Sequence, residues 1–210
     1  MDRFTILMYH MICKPKTRKE ARYACPSKLF EKHLRYIRNS HHSVVSLTDI
    51  EEHLLSGRTL PNNAVAITLD DGFEDNYTKG FPLLQKYNIP ATIFLTSGVI
   101  GKTNNWMVEK GFPERKMLNW QQIREMSRCG INFGAHTVSH PKLSELDTNS
   151  ATREIAQSKQ KIEDQLGKPC LHFAYPYGLF SMQTPDIVMN INFKLACSTY
   201  SGFNNSERDP

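Results

Sequence analysis

The chain has 210 residues, 40% of them hydrophobic and 22% charged, with a formal net charge of +5. This supports one globular domain with a sizeable core and excludes a disordered chain. Lys and Arg are scattered rather than massed in a stripe, so no nucleic-acid partner is expected, and the mild basicity only weakly favours an anionic polymer or surface.

Phe4–Tyr9 is a short apolar run of strand formers. Residues 27–39 carry Phe30, Leu34 and Ile37 at helical spacing, with Ser27 as N-cap. Residues 44–47 read as a second strand, and Thr48 to Glu51 as a capping box opening a short helix that stops near Gly57. A third strand covers 64–69. A helix over 76–87 is kinked or delayed by Pro82, and a fourth strand covers 91–96. From Ser97 to Leu118 there is no clear period, which predicts a long loop. Asn119 and Gln122 then cap a helix with Ile123 and Met126 inward and Gly130 at its end. Strand 131–135, a long helix over 150–166 closed by Gly167 and Pro169, strand 171–174, a helix over 186–191 and strand 194–198 complete the chain. Strand–helix alternation in units of roughly 30 residues predicts an α/β fold with a parallel sheet, either a barrel or an open sheet.

The five cysteines are odd in number and lack C-x-x-C spacing, which argues against a disulfide framework or a thiolate zinc site. No window approaches a transmembrane span. With no basic stretch leading into an apolar run at the N-terminus, the chain as given is expected in the cytoplasm, or outside the cell if its N-terminus is trimmed. Oligomeric state is not readable.

Parallel α/β folds place chemistry at the C-terminal ends of their strands. His10 follows the first strand, Asp70-Asp71-Gly72 the third, His136 (with His140 four residues on) the fifth, and Tyr175-Pro176-Tyr177-Gly178 the sixth. Adjacent carboxylates are costly without a cation. Two imidazoles four apart, on one face of a helical turn, can share a metal ion. One carboxylate with two His forms a three-ligand set that leaves positions open for water and substrate, and the second carboxylate is then free to act as a general base. The Tyr175–Gly178 loop reads equally as a plain turn or as an oxyanion site; because Pro176 has no N–H, Tyr177 is its donor. Trp106 in the long loop, Phe73 and the tyrosines could line a sugar-binding groove, whereas Trp120 reads as core.

With these residues in view, the sequence resembles the polysaccharide deacetylase family, the NodB-type carbohydrate esterases. The resemblance runs from Leu7-Met8-Tyr9-His10 to Gly202-Phe203-Asn204. It rests on three segments in order: Thr68-Leu69-Asp70-Asp71-Gly72, His136-Thr137-Val138-Ser139-His140-Pro141 and Phe173-Ala174-Tyr175-Pro176-Tyr177-Gly178. It implies a distorted (β/α)7 barrel in one domain over residues 1–210. It also implies Asp70 as catalytic base, Asp71, His136 and His140 as ligands of a divalent metal ion (zinc first, with cobalt, nickel or manganese possible), and Tyr177 as oxyanion donor. Phe73, Trp106, Tyr175 and Pro176 are the candidate substrate-binding residues. The implied reaction removes N-acetyl groups from the amino sugars of a carbohydrate; O-acetyl ester or other amide hydrolysis and an impaired carbohydrate-binding relative are the alternatives. Two positions depart from the family pattern. Phe173 stands where many members have an Arg that orients the base, and no His follows His172 to serve as the late acid. Either the domain is truncated at its C-terminus or another residue supplies the proton, and His10 is the candidate.

Overall fold

The computed structural model describes residues 3–205. Seven parallel strands form one curled sheet: β1 (Phe4–Tyr9), β2 (Ser43–Val44), β3 (Ala64–Leu69), β4 (Thr92–Leu95), β5 (Asn132–Ala135), β6 (His172–Ala174) and β7 (Leu195–Cys197). The order is β1-β3-β4-β5-β6-β7, with β2 paired to the start of β3. Seven helices alternate with them: α1 (Ser27–Asn39), α2 (Leu47–Ser56), α3 (Phe81–Lys86), α4 (Asn105–Val108), α5 (Trp120–Arg128), α6 (Thr148–Leu166) and α7 (Thr184–Asn190). The expected distorted (β/α)7 barrel is the observed architecture, with its curled sheet left open between β1 and β7.

Side-chain alternation along β3 separates two cores. Val65, Ile67 and Leu69 pack with Phe30, Leu34, Ile123 and Ile155 in the layer between sheet and helices. Ala64 and Ala66 join Phe94, Ala174 and Leu195 in a second cluster that α2 plugs with Leu47 and Ile50. All six residues of β3 are buried, as expected of a parallel strand covered on both faces. The sheet ends at β1 and β7. There the chain beyond β7 turns back so that Phe4 and Asn204 exchange two backbone hydrogen bonds of 3.0 Å, beside a cavity of about 480 Å³ that reaches from Leu54 up to Asp70.

Close approach explains Gly134 in β5. A Cβ there would lie 2.5 Å from the Phe94 ring and 2.8 Å from the His172 carbonyl oxygen. Gly134→Ala is therefore expected to cost ~1–3 kcal/mol by overpacking, seen as a lower Tm with secondary structure retained; an unchanged Tm would contradict this packing.

Several boundaries differ from those read in sequence. α1 includes Ser27, and Pro26 is its N-cap, offering its carbonyl to Leu29 and Phe30. The capping box is Ser46 with Asp49, not Thr48 with Glu51, so α2 begins at Leu47 and β2 is only Ser43–Val44. Pro82 lacks the N–H to continue the preceding turn: residues 76–80 form a wide turn and α3 starts afresh at Phe81. α6 opens at Thr148, where Asp147 accepts from the Ser150 N–H, and α7 begins two residues early, at Thr184. The expected structureless loop over 97–118 is ordered. It contains α4, bridges Thr103 to Lys116 and Phe73 to Met117, and is anchored by a two-pronged bond from Arg115 to buried Glu20 (2.6 and 2.7 Å).

Candidate metal and catalytic site

The site is built from strand ends. The Asp70 N–H donates to Tyr9 O (2.8 Å), carrying β3 one residue past the sheet. The chain then turns sharply, with Asp71 at φ 72° and Gly72 N–H donating to Asp70 O (2.9 Å). Of the two adjacent carboxylates, only that of Asp71 joins the histidines. Asp71 Oδ1 points toward the histidines, 3.1 Å from His140 Nε2 and 3.5 Å from His136 Nε2.

His136 lies just beyond β5. A carbonyl can only accept, so the 2.7 Å contact between His136 Nδ1 and Ala174 O puts the proton on Nδ1 and leaves a lone pair on Nε2. The expected helical turn between the two histidines is absent. Thr137 and His140 both take left-handed backbone conformations, φ 65° and 61°. Thr137 Oγ1 donates to His136 O (2.6 Å) and accepts from His140 N–H (3.1 Å), which curls the loop so that both Nε2 atoms converge. Asp71, Thr137, His140 and Tyr177 are four of the seven non-glycine residues with positive φ among the described residues. Such backbone costs of order 1–3 kcal/mol per residue and is kept only where its surroundings over-determine it.

Glu154 of α6 is one such determinant, and sequence reading missed it. Its Oε2 accepts from the Val138 N–H (2.8 Å) and Ser139 N–H (2.9 Å), and its Oε1 from Ser139 Oγ (2.8 Å). By periodicity this residue is one more charge on a solvated helix face; only the fold lays the histidine loop over it. Glu154→Gln keeps the shape but offers one acceptor oxygen in place of two. Metal affinity measured by competition titration is expected to fall ~10-fold, the lower end for loss of an outer partner; unaltered affinity would remove Glu154 from this role.

The ligand atoms of Asp71, His136 and His140 lie within 4.8 Å of one another. All three residues are at most 7% exposed, and Asp71 Oδ1 has no hydrogen-bond donor. A buried carboxylate oxygen without a donor beside two imidazole nitrogens fits a divalent cation. Burial, and then His140, lower His136 to about 3, so its imidazole is neutral and available as a ligand. For Asp71, burial acts upward, but His140 and its neighbours outweigh it and hold the carboxyl below the usual range.

Asp70 sits beside this cluster, outside it. It is 6% exposed, its Oδ1 has no donor, and it makes no ion pair among the described residues. Burial, with Asp71 adjoining, pushes its carboxyl well up. Phe173 does not replace the missing cation: its ring is fully buried between Tyr175 and Phe193 in the outer core.

The other candidates are distributed around this centre. The His10 ring packs on Tyr23 (centroids 5.3 Å apart), and its backbone carbonyl accepts from Asn76 Nδ2 (2.7 Å). Burial lowers its pKa while Asp71 opposes, so His10 lies within electrostatic reach of the ligands. The Tyr177 ring meets the His140 ring edge-on at 4.6 Å. Its hydroxyl accepts from Lys110 Nζ (2.5 Å), a link the sequence did not suggest. Tyr177 has φ 59°, the left-handed turn that sets its N–H apart from the strand. Trp106 stacks on His140 at 5.1 Å with Phe73 buried beneath it. Tyr175 is buried against Phe173 and Phe180 and lines the cavity below Asp70, and Pro176 is buried.

A family model described as polysaccharide deacetylase matches residues 57–196. The YxkH protein of Bacillus subtilis is 26% identical over 197 residues, 94% of this chain and 64% of that protein. The poly-beta-1,6-N-acetyl-D-glucosamine N-deacetylase of Staphylococcus aureus is 25% identical over 185 residues, 84% of this chain and 61% of that protein. This chain thus spans less than two thirds of the length of either relative. Among solved structures, the Streptococcus pyogenes deacetylase PplD, in complex with acetate, superposes with a TM-score of 0.84 at 27% identity, covering 98% of this chain and 87% of that one.

Proposed function

Because the chain belongs to the polysaccharide deacetylase family, we propose that it removes acetyl groups from the amino sugars of a glycan by metal-dependent hydrolysis. The carrying observation is the buried cluster of Asp71, His136 and His140 with the unpaired carboxylate of Asp70 alongside. The three ligands would hold a divalent cation, zinc first given their imidazole–carboxylate chemistry. Bound there, such a cation supplies Lewis acidity toward water and the amide carbonyl.

The remaining work falls to the chain's own groups. Asp70 accepts a proton from the attacking water as the new C–O bond forms. The Tyr177 N–H, aimed by its left-handed backbone, donates to the oxyanion of the tetrahedral adduct; a donor of this kind is worth about 3 kcal/mol in the transition state. As the C–N bond breaks, the proton taken up by Asp70 passes to the nitrogen by way of His10 at the end of β1, so one amide and one water give one acetate and one protonated amine. Trp106, flat against His140 at the rim, offers a face for a sugar ring.

The deciding experiment is acetate release from N-acetylglucosamine oligomers by zinc-loaded protein beside a chelated control, with a matched O-acetyl ester run in parallel. Chelator-sensitive release from the amide is expected. Release from the ester alone would replace the N-deacetylase reading with an esterase, and no release from protein holding one metal ion per chain would replace it with a binding role.

A further inference from the structure

Residues 14–22 carry Lys14, Lys16, Arg18, Lys19 and Arg22, five cations in nine positions, all exposed. The one acidic group among them, Glu20, is 1% exposed and is engaged by Arg115 and the Lys16 backbone N–H, so it does not offset the outward charge. None of the five cations makes an ion pair among the described residues.

This segment borders the site through a continuous set of contacts. Lys16 Nζ donates to Glu114 O (3.1 Å) and Lys19 Nζ to Lys110 O, tying the segment to the loop that carries Trp106. Lys19 also lies 4.6 Å over the Phe112 ring, Phe112 meets Tyr23 at 5.8 Å, and Tyr23 packs on His10. On the far side, Lys110 reaches Tyr177. A cationic collar therefore runs along the rim from His10 toward Tyr177.

We infer that this collar binds the substrate strand itself, and that the strand is an N-acetylated glycan bearing carboxylate groups on its sugars. The inference rests on the deacetylase reading of the same site. The collar is continuous with the reacting centre, so a single strand engages both, the anion on the collar and the acetamide at the centre. Each deacetylation adds an ammonium group to the product. A neutral glycan would become a polycation that this rim repels, whereas a carboxylated strand keeps a compensating charge. Five cations spread along residues 14–22 match single charges repeated along a strand, one carboxylate per sugar.

The test compares wild-type protein with Lys14→Glu/Arg18→Glu, two exposed side chains outside the catalytic machinery. The substrates are an N-acetylated oligosaccharide, the same length carrying carboxylates, and a phosphodiester-linked analogue. At low ionic strength the variant's kcat/KM on the carboxylated strand is expected to fall ~10-fold, with the neutral oligosaccharide unchanged. The difference should shrink toward unity as salt shortens the screening length. Equal losses on neutral and carboxylated strands, no loss on either, or wild-type preference for the phosphodiester would each overturn the inference. Equilibrium binding by metal-loaded Asp70→Asn protein separates the two readings. Charge-dependent binding without turnover by the wild type would leave the collar standing and sink the deacetylase. Turnover with charge-blind binding would do the reverse.

Discussion

Asp70→Asn is expected to lower acetate release by ~10²- to 10⁴-fold, the range for losing a positioned general base, while the protein still takes up one divalent ion per chain. The substitution keeps shape and removes only the capacity to accept a proton. Metal uptake survives because the ligand set is Asp71, His136 and His140, and Asp70 lies outside it. Folding survives because Asp70 is held through its backbone N–H on Tyr9 O, while its Oδ1 has no donor to lose. Steady-state kinetics and metal stoichiometry on the same preparation check both halves. Wild-type turnover would show that another group accepts the proton, and loss of metal would show that Asp70 belongs to the ligand set.

Asp71→Asn should act in the opposite sense, losing the metal first and activity with it. Asn is among the residues that best tolerate positive φ, so the turn at φ 72° is retained and the test isolates the charge. The affinity loss should exceed the ~10- to 100-fold that removal of an outer partner costs, because here a ligand itself is changed. The protein should remain folded, because Asn keeps the shape of Asp71 and its turn. Titration with zinc in the presence of a competing chelator reads the affinity. Retained affinity with lost turnover would mean that Asp70 and Asp71 have exchanged roles.

The two expectations diverge because, of the two carboxylates flanking this turn, only that of Asp71 joins the histidine cluster. Their adjacency was visible in the sequence. The division of labour proposed for them came from the family resemblance, and in the structure only Asp71 joins the histidine cluster. The same holds for His136 and His140. Their spacing of four suggested a helical face, but the histidines converge through two left-handed residues and a threonine hydroxyl. The two histidines come together, but by a geometry other than the one expected. Lys110, Glu154 and Asn76 left no trace in the sequence, because each acts on a partner 15 or more residues away.

What the sequence by itself determined is local or periodic: the strand runs with their buried faces, the helix stops at Gly57 and Gly167, the cap at Asn119, and the recurrence of titratable residues after strands. These follow from side-chain spacing and backbone preference, which act over a few residues. The tertiary structure decided the rest. It opened the sheet between β1 and β7, stacked Trp106 on His140, set Glu154 under the histidine loop and tied the cationic segment 14–22 to the loop at Lys110 and Glu114. Those outcomes depend on which strand lies next to which. Nothing within a short window carries that information, because burial of the whole sheet, and not of any one segment, selects the order.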